Sequence, residues 1–146
     1  MTLIKSISGI RGTIGGKQGE NLTPLDVVKY AAAYGCWLKQ QAAKDHYKVV
    51  VGRDARISGH MMQQLVMNTL VGLGIHVVDL DLSTTPTVEV AVVLDHADGG
   101  IILTASHNPK QWNALKLLNH KGEFLNAKEG QMILDIAENE PINFSE

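Results

Sequence analysis

Cysteine is almost absent. Cys36 stands alone among 146 residues and has no partner within the chain. A disulfide-stapled scaffold is thereby excluded, and a reducing compartment is the simplest home. An excess of one charge is missing too: 13 Lys and Arg face 15 Asp and Glu, a net −2 with the histidines neutral. The basic residues are spread along the chain, so there is no patch for nucleic acid or an anionic membrane surface. No run approaches the ~20 apolar residues of a membrane span, and "MTLIKSISGI" lacks the long apolar region of a signal peptide. Internal repeats and low-complexity segments are also lacking. The expectation is a soluble cytoplasmic domain with no nucleic-acid or membrane partner.

What is present has the balance of a folded protein, with 45% apolar and 19% charged residues. That composition argues against disorder. The length suits one domain over residues 1–146, and such a chain buries about 68–70% of its unfolded surface.

The elements follow from local chemistry. Thr23, Pro24 and Asp26 suit the N-cap, first and third positions of a helix, because they satisfy or lack the free N–H groups there. Val27, Ala31, Tyr34, Leu38 and Gln41 would mark its buried face. "YKVVVGRD" and "GGIILTAS" read as strands buried on both sides. Ser58 looks like the cap of a second helix that stops near Gly74, and "IHVVDLDL" returns as a strand. "STTPTVEVAVVLDH" alternates like a strand yet carries the Thr85-Pro86 helix start, and a crossover between parallel strands favours helix. "ALKLLN" is expected as a fourth strand, with Lys116 near its start. Asn126 and Glu129 resemble the capping box of a last helix ending before Pro141.

This alternation predicts an α/β fold, a three-layer α/β/α domain with a mixed, largely parallel sheet. Strands joined by crossovers open their carboxyl ends on one edge, where ligands bind in such sheets. Gly52-Arg53-Asp54, Asp81, Ser83 and Ser106-His107 leave those ends and should meet there.

Ser106 sits in "TASHNPKQWNALK". It could be a polar loop residue, but Asn108-Pro109 forces a rigid departure of the chain that would hold the hydroxyl outward. Neither a G-x-S-x-G elbow nor triad spacing is present, so acyl transfer is disfavoured. A phosphorylated serine would carry about −1.5 to −2 charges and need cations and N–H donors nearby. Lys116 is either a solvated lysine or a proton-transferring, charge-neutralising neighbour of that serine. His107 either hydrogen-bonds its loop or helps a reacting oxygen. Arg11, in "SGIRGTIGG", is either a surface arginine on a glycine-rich hairpin or a bidentate phosphate ligand. Arg53, Asp54 and Arg56 either form a structural ion-pair lattice or touch a ligand. The other histidines show no metal-ligand spacing, and no P-loop or G-x-G-x-x-G turn supports nucleotide binding.

Taken together, "SGIRG", "VGRDARISG", "TTPTVEVAV" and "ILTASHNPKQWNALK", in this order and spacing, resemble the N-terminal domain of the α-D-phosphohexomutases. These are the enzymes of phosphoglucomutase, phosphomannomutase and phosphoglucosamine mutase type. The resemblance implies that Ser106 is the phosphoserine exchanging its phosphoryl with a hexose phosphate through a bisphosphate. It implies that Arg11, Lys116 and His107 handle protons and charge, with Arg11 and Lys116 also binding substrate. It further implies a Mg²⁺ that takes one ligand from the Ser106 phosphate.

Two departures stand out. The family writes N-G-x-K where this chain has Asn113-Ala114-Leu115-Lys116, which alanine permits only at negative φ. The D-G-D-x-D-R metal loop, the G-E-x-S-G sugar loop and the R-x-S-G-T phosphate loop are absent. The chain is therefore expected to be the first domain of a longer enzyme, inactive without the later domains. The competing expectation is a non-catalytic phosphosugar-binding or regulatory module. Which hexose phosphate is used does not follow from these residues.

Overall fold

A computed structural model describes residues 1–7 and 9–146; Ser8, the first residue of "SGIRG", lies outside the described residues. In chain order the elements are β1 (Ile4–Ser6), β2 (Gly9–Thr13), α1 (Pro24–Gln41), β3 (Lys48–Arg53) and α2 (Gly59–Gly72). They continue as β4 (His76–Leu82), α3 (Thr85–Leu94), β5 (Gly99–Leu103), β6 (Trp112–Leu118) and α4 (Ala127–Asn139).

The helix ends are built by the expected chemistry. Thr23 and Asp26 form a capping box at α1, and Asn126 and Glu129 form one at α4. Thr84 caps α3, which settles the ambiguous valine-rich stretch as helix. Helix α2 differs. Ser58 occupies the cap position without a capping bond, and its hydroxyl instead accepts from Asn113 Nδ2 at 2.9 Å. Gly74, at φ 77°, turns the chain out of α2. Gln41 is exposed at the end of α1, whereas Val27, Ala31, Tyr34 and Leu38 are buried as expected.

One mixed sheet of order β1-β2-β6-β5-β3-β4 runs through the molecule. Strands β4, β3 and β5 are mutually parallel, joined by crossovers through α2 and α3. The remainder is antiparallel: β6 to β5, β2 to β6 and β1 to β2. The reason is connection length, since residues 104–111 form a loop too short for a crossover.

Alternation sorts the strand residues between two cores. Val49, Val51, Ile101, Leu103, Leu115 and Ile10 pack with α1, α2 and α4, while Val50, Ile102 and Leu118 pack under Val88 and Val92 of α3. Gly99 has no room for a side chain because the Tyr34 hydroxyl sits where its Cβ would be. That hydroxyl donates to Leu118 O at 2.6 Å and accepts from Gly100 N–H at 2.9 Å, pinning α1 to β5 and β6. Helix α3 covers β3 and β5 on its side. Beyond it, the face carrying Gly9, Arg11, Ala114 and Lys116 borders open hollows. Among the described residues no helix is long and apolar enough to cross a membrane.

Candidate functional site

Strand β5 is buried along its whole length and delivers the chain to Thr104 and Ala105, both still buried, and then to the exposed Ser106. Ser106 is held at φ 50°, in the left-handed region. That conformation costs a non-glycine residue about 1–2 kcal/mol, so surrounding bonds must impose it. The Ser106 N–H donates to Thr104 Oγ1 at 3.2 Å, and Thr104 Oγ1 donates to Asp54 Oδ2 at 2.7 Å. The turn closes through Asn108 N–H to Ala105 O at 3.0 Å and Trp112 N–H to Pro109 O at 2.9 Å.

Arg56 fastens this loop from behind. Nη1 donates to Pro109 O at 2.7 Å and Trp112 O at 3.0 Å, and Nη2 donates to Ser106 O and Asn108 O at 2.9 Å each. Nε donates to Asp54 Oδ2 at 3.2 Å. The second Asp54 oxygen takes the Arg56 backbone N–H at 3.1 Å. The Arg53–Asp54–Arg56 group is thus a lattice that fixes loops, the first of its two expected readings. Arg53 turns away from Ser106, donating to Gln63 at 2.9 Å and pairing with Asp81 at 3.1 Å.

The other site residues do not come from the parallel edge. Lys116 lies inside β6, since the strand begins at Trp112 rather than at Ala114. Its Nζ donates to Ser106 Oγ at 3.2 Å. In the β2–β6 register Arg11 stands opposite Ala114, and Gly9 opposite Lys116. Paired residues of an antiparallel ladder share a face, so the two cations project on the same side of the sheet. Between them the small Gly9 and Ala114 leave the floor clear. Ala114 sits in regular strand with negative φ, which removes the objection raised by alanine in place of glycine.

Ser106, His107, Asn108, Arg11 and Lys116 line a hollow of about 320 Å³. A second, of about 340 Å³, adjoins it along Ser6, Gly9, Arg11 and Lys116. Neither lining contains a carboxylate. Arg11 is exposed and has no ion-pair partner among the described residues. Two uncompensated cations beside a hydroxyl make a place for an anion. A larger hollow of about 720 Å³ lies at the amino end of β5, around Trp37, His96 and His120, and shares no residue with this cluster.

All four residues expected from the sequence thus come together. Sequence reasoning missed Asn113 and left Arg56 undecided. Asn113 is fully buried and spends both ends of its amide, on Ser58 Oγ and on Ala114 N–H. Its place within the same motif as Ser106 was the one available signal.

Comparison with known proteins gives the family and the fold. A family model described as phosphoglucomutase/phosphomannomutase, alpha/beta/alpha domain I, matches residues 3–143. A phosphoglucomutase/phosphomannomutase of Thermococcus kodakarensis is 38% identical over 85% of this chain and 27% of its own length. A phosphoglucosamine mutase of Helicobacter acinonychis is 33% identical over 91% of this chain and 30% of its own length. The solved structure of a phosphoglucomutase/phosphomannomutase family protein from Burkholderia thailandensis shares the fold at TM-score 0.83 and 24% identity. It is matched over 97% of this chain and 31% of that one. The chain spans under a third of the length of these relatives.

Proposed function

This chain belongs to the phosphoglucomutase/phosphomannomutase family as its α/β/α domain I, and on that premise we propose that it carries the phosphoserine of a phosphohexomutase. Ser106 would pass its phosphoryl group to a hexose monophosphate and take one back from the other end of the bisphosphate. The observation that carries the reading is the 3.2 Å contact of Lys116 Nζ with Ser106 Oγ, in a hollow shared with Arg11 and free of carboxylates.

The residues present divide the chemistry as follows. A sugar hydroxyl oxygen attacks the phosphorus, and the new P–O bond forms as the bond to Ser106 Oγ breaks. The electron pair remains on Oγ, which takes a proton from Lys116. His107 accepts the proton of the attacking hydroxyl. Arg11 stabilises the equatorial oxygens, where charge is spread in phosphoryl transfer. The return step runs these transfers backwards from the second phosphate.

Mg²⁺ supplies charge neutralisation in such chemistry, but this chain's donor set does not fit a magnesium site of its own. No group of three or more His, Cys, Asp or Glu side chains among the described residues could hold a metal ion. Mg²⁺ is bound through carboxylate oxygens, and the hollow at Ser106 has none. The chain would offer one ligand, a phosphate oxygen on Ser106. The remaining ligands and the sugar contacts are assigned to further domains of a longer polypeptide. The lone, half-buried Cys36 supports a reducing, cytoplasmic setting.

The test is intact-mass and peptide mapping of the natural polypeptide containing this chain, before and after a hexose 1,6-bisphosphate with Mg²⁺. One phosphate on Ser106 is the expected outcome, and a bare serine would remove the carrier role. The 146-residue chain alone is expected to show no mutase turnover under the same conditions.

A further inference from the structure

We propose that Arg56 is a positioning residue for Ser106, acting through the backbone of the 106–112 loop and through Asp54. The inference rests on Ser106 being the phosphoryl carrier. Four carbonyl oxygens, of Ser106, Asn108, Pro109 and Trp112, converge on one guanidinium. Brought together without a cation, four such dipole ends repel one another. With Nε on Asp54, all five N–H donors of the arginine are engaged. The side chain is only 12% exposed, so it has neither a donor nor an open path for substrate. Its work is confined to the loop and to Asp54.

That loop decides the geometry of the reacting oxygen. The peptide groups on both sides of Ser106 are held: its N–H by Thr104, itself bound to Asp54, and its C=O by Arg56. With both peptides fixed, φ and ψ of Ser106 have no freedom left, which is how the residue is kept at φ 50°. Peptide planarity adds a consequence. The N–H of His107 lies across the peptide plane from the Ser106 carbonyl, so it points away from the guanidinium. Among the described residues that N–H has no acceptor. Arg56 therefore draws the carbonyls to one side of the loop and leaves a backbone donor on the other, free to bond a phosphate ester on Oγ. Lysine could not substitute, because an ammonium offers three donors and no planar fork.

The experiment uses the chain with phosphoserine installed at position 106 during translation, followed by ³¹P NMR titration. A phosphoserine ordinarily takes up its proton near pH 6. Arg11 from β2, Lys116 from β6, and the side chain and N–H of His107 from the loop itself face the group; cations and N–H donors favour the dianion, so the titration should lie lower. Arg56→Lys keeps the net charge and loses the fork. It should return most of the shift toward the ordinary value, with the amide spectrum of β3 and β5 unchanged. Arg56→Met should go no further than the charge loss accounts for. An Arg56→Lys phosphoserine protein that titrates like the phosphoserine chain with Arg56 intact would overturn the positioning role. A phosphoserine chain with Arg56 intact that titrates at the ordinary value would instead refute the carrier reading, and the proposal with it, before any variant is compared.

Discussion

At the scale of the single residue, the site is built on a conformation that serine does not choose. Among the described residues, Ser106 at φ 50° is one of three non-glycine residues in the left-handed region, with Asp81 and His96. Strain of this kind persists where surrounding bonds over-determine it, and here Thr104 and Arg56 supply those bonds. A direct consequence is a trade between stability and chemistry. Ser106→Gly relieves the clash of Cβ with the carbonyl, whereas Ser106→Ala keeps it; both remove the hydroxyl. The glycine variant should therefore be more stable than the alanine variant by about 1 kcal/mol in urea unfolding, at equal slope. An alanine variant more stable than the glycine variant by the full unfolded-state cost of glycine would show that the loop stores no strain at this residue. Glycine's extra freedom in the unfolded chain works against the difference, so a positive result is a lower bound on the strain.

At the scale of elements, the site depends on a pairing that pattern alone did not reveal. Helix starts were readable at Thr23 and Asn126, which place a side-chain oxygen where an N–H needs one, and at Thr85-Pro86, although the oxygen that caps α3 is that of Thr84. The buried strands β3 and β5 were readable as short β-branched runs. Strands β1 and β2 were not, since Ile4–Ser6 has only three residues and Gly9–Thr13 is short, glycine-containing and without clear alternation. Without β2 there was no way to see that Arg11 lies beside Lys116, nor that the far half of the sheet is antiparallel. Arg11 and Lys116 were legible through motif resemblance alone, whereas Ser106 and His107 were also placed by the order of elements, at the carboxyl end of β5. The pairing turns on Gly9, whose Cβ would collide with Leu115 O across the ladder. Gly9→Ala should force β2 away from β6 at a cost of about 1–3 kcal/mol, as overpacking does. Amide exchange would rise at Arg11 and Leu115 while β3 stays protected. Unchanged exchange at both positions would mean that β2 accommodates the methyl and that Gly9 is not needed there.

At the scale of the whole molecule, the sheet divides into halves of unequal security, and the site straddles them. Strands β3 and β5 are covered on both faces by the two cores. The β1–β2 hairpin ends in a three-residue edge strand whose outer residues are exposed. Its tie to α4 is the ion pair of Lys5 with Glu138 at 3.2 Å, shared with Lys29 at 3.0 Å. The hydrogen bond from Lys29, and then that from Lys5, hold the Glu138 carboxyl below its usual range. A depressed carboxylate stabilises the fold above its unfolded value, near 4.3, and that contribution is lost as pH falls through the lower folded value. Glu138 is 45% exposed along its side chain, so solvent screening keeps the global effect small. The local effect is larger in proportion at β1, an edge strand that pairs with β2 alone. Glu138→Gln at neutral pH should speed amide exchange in residues 4–13 severalfold and leave 49–51 and 101–103 unaltered. Arg11 would then be the first site residue to lose its place, through partial opening in which the parallel half stays folded. Exchange that rises uniformly in both halves would instead mean that the sheet opens as one unit, and that Arg11 is as firmly held as Ser106.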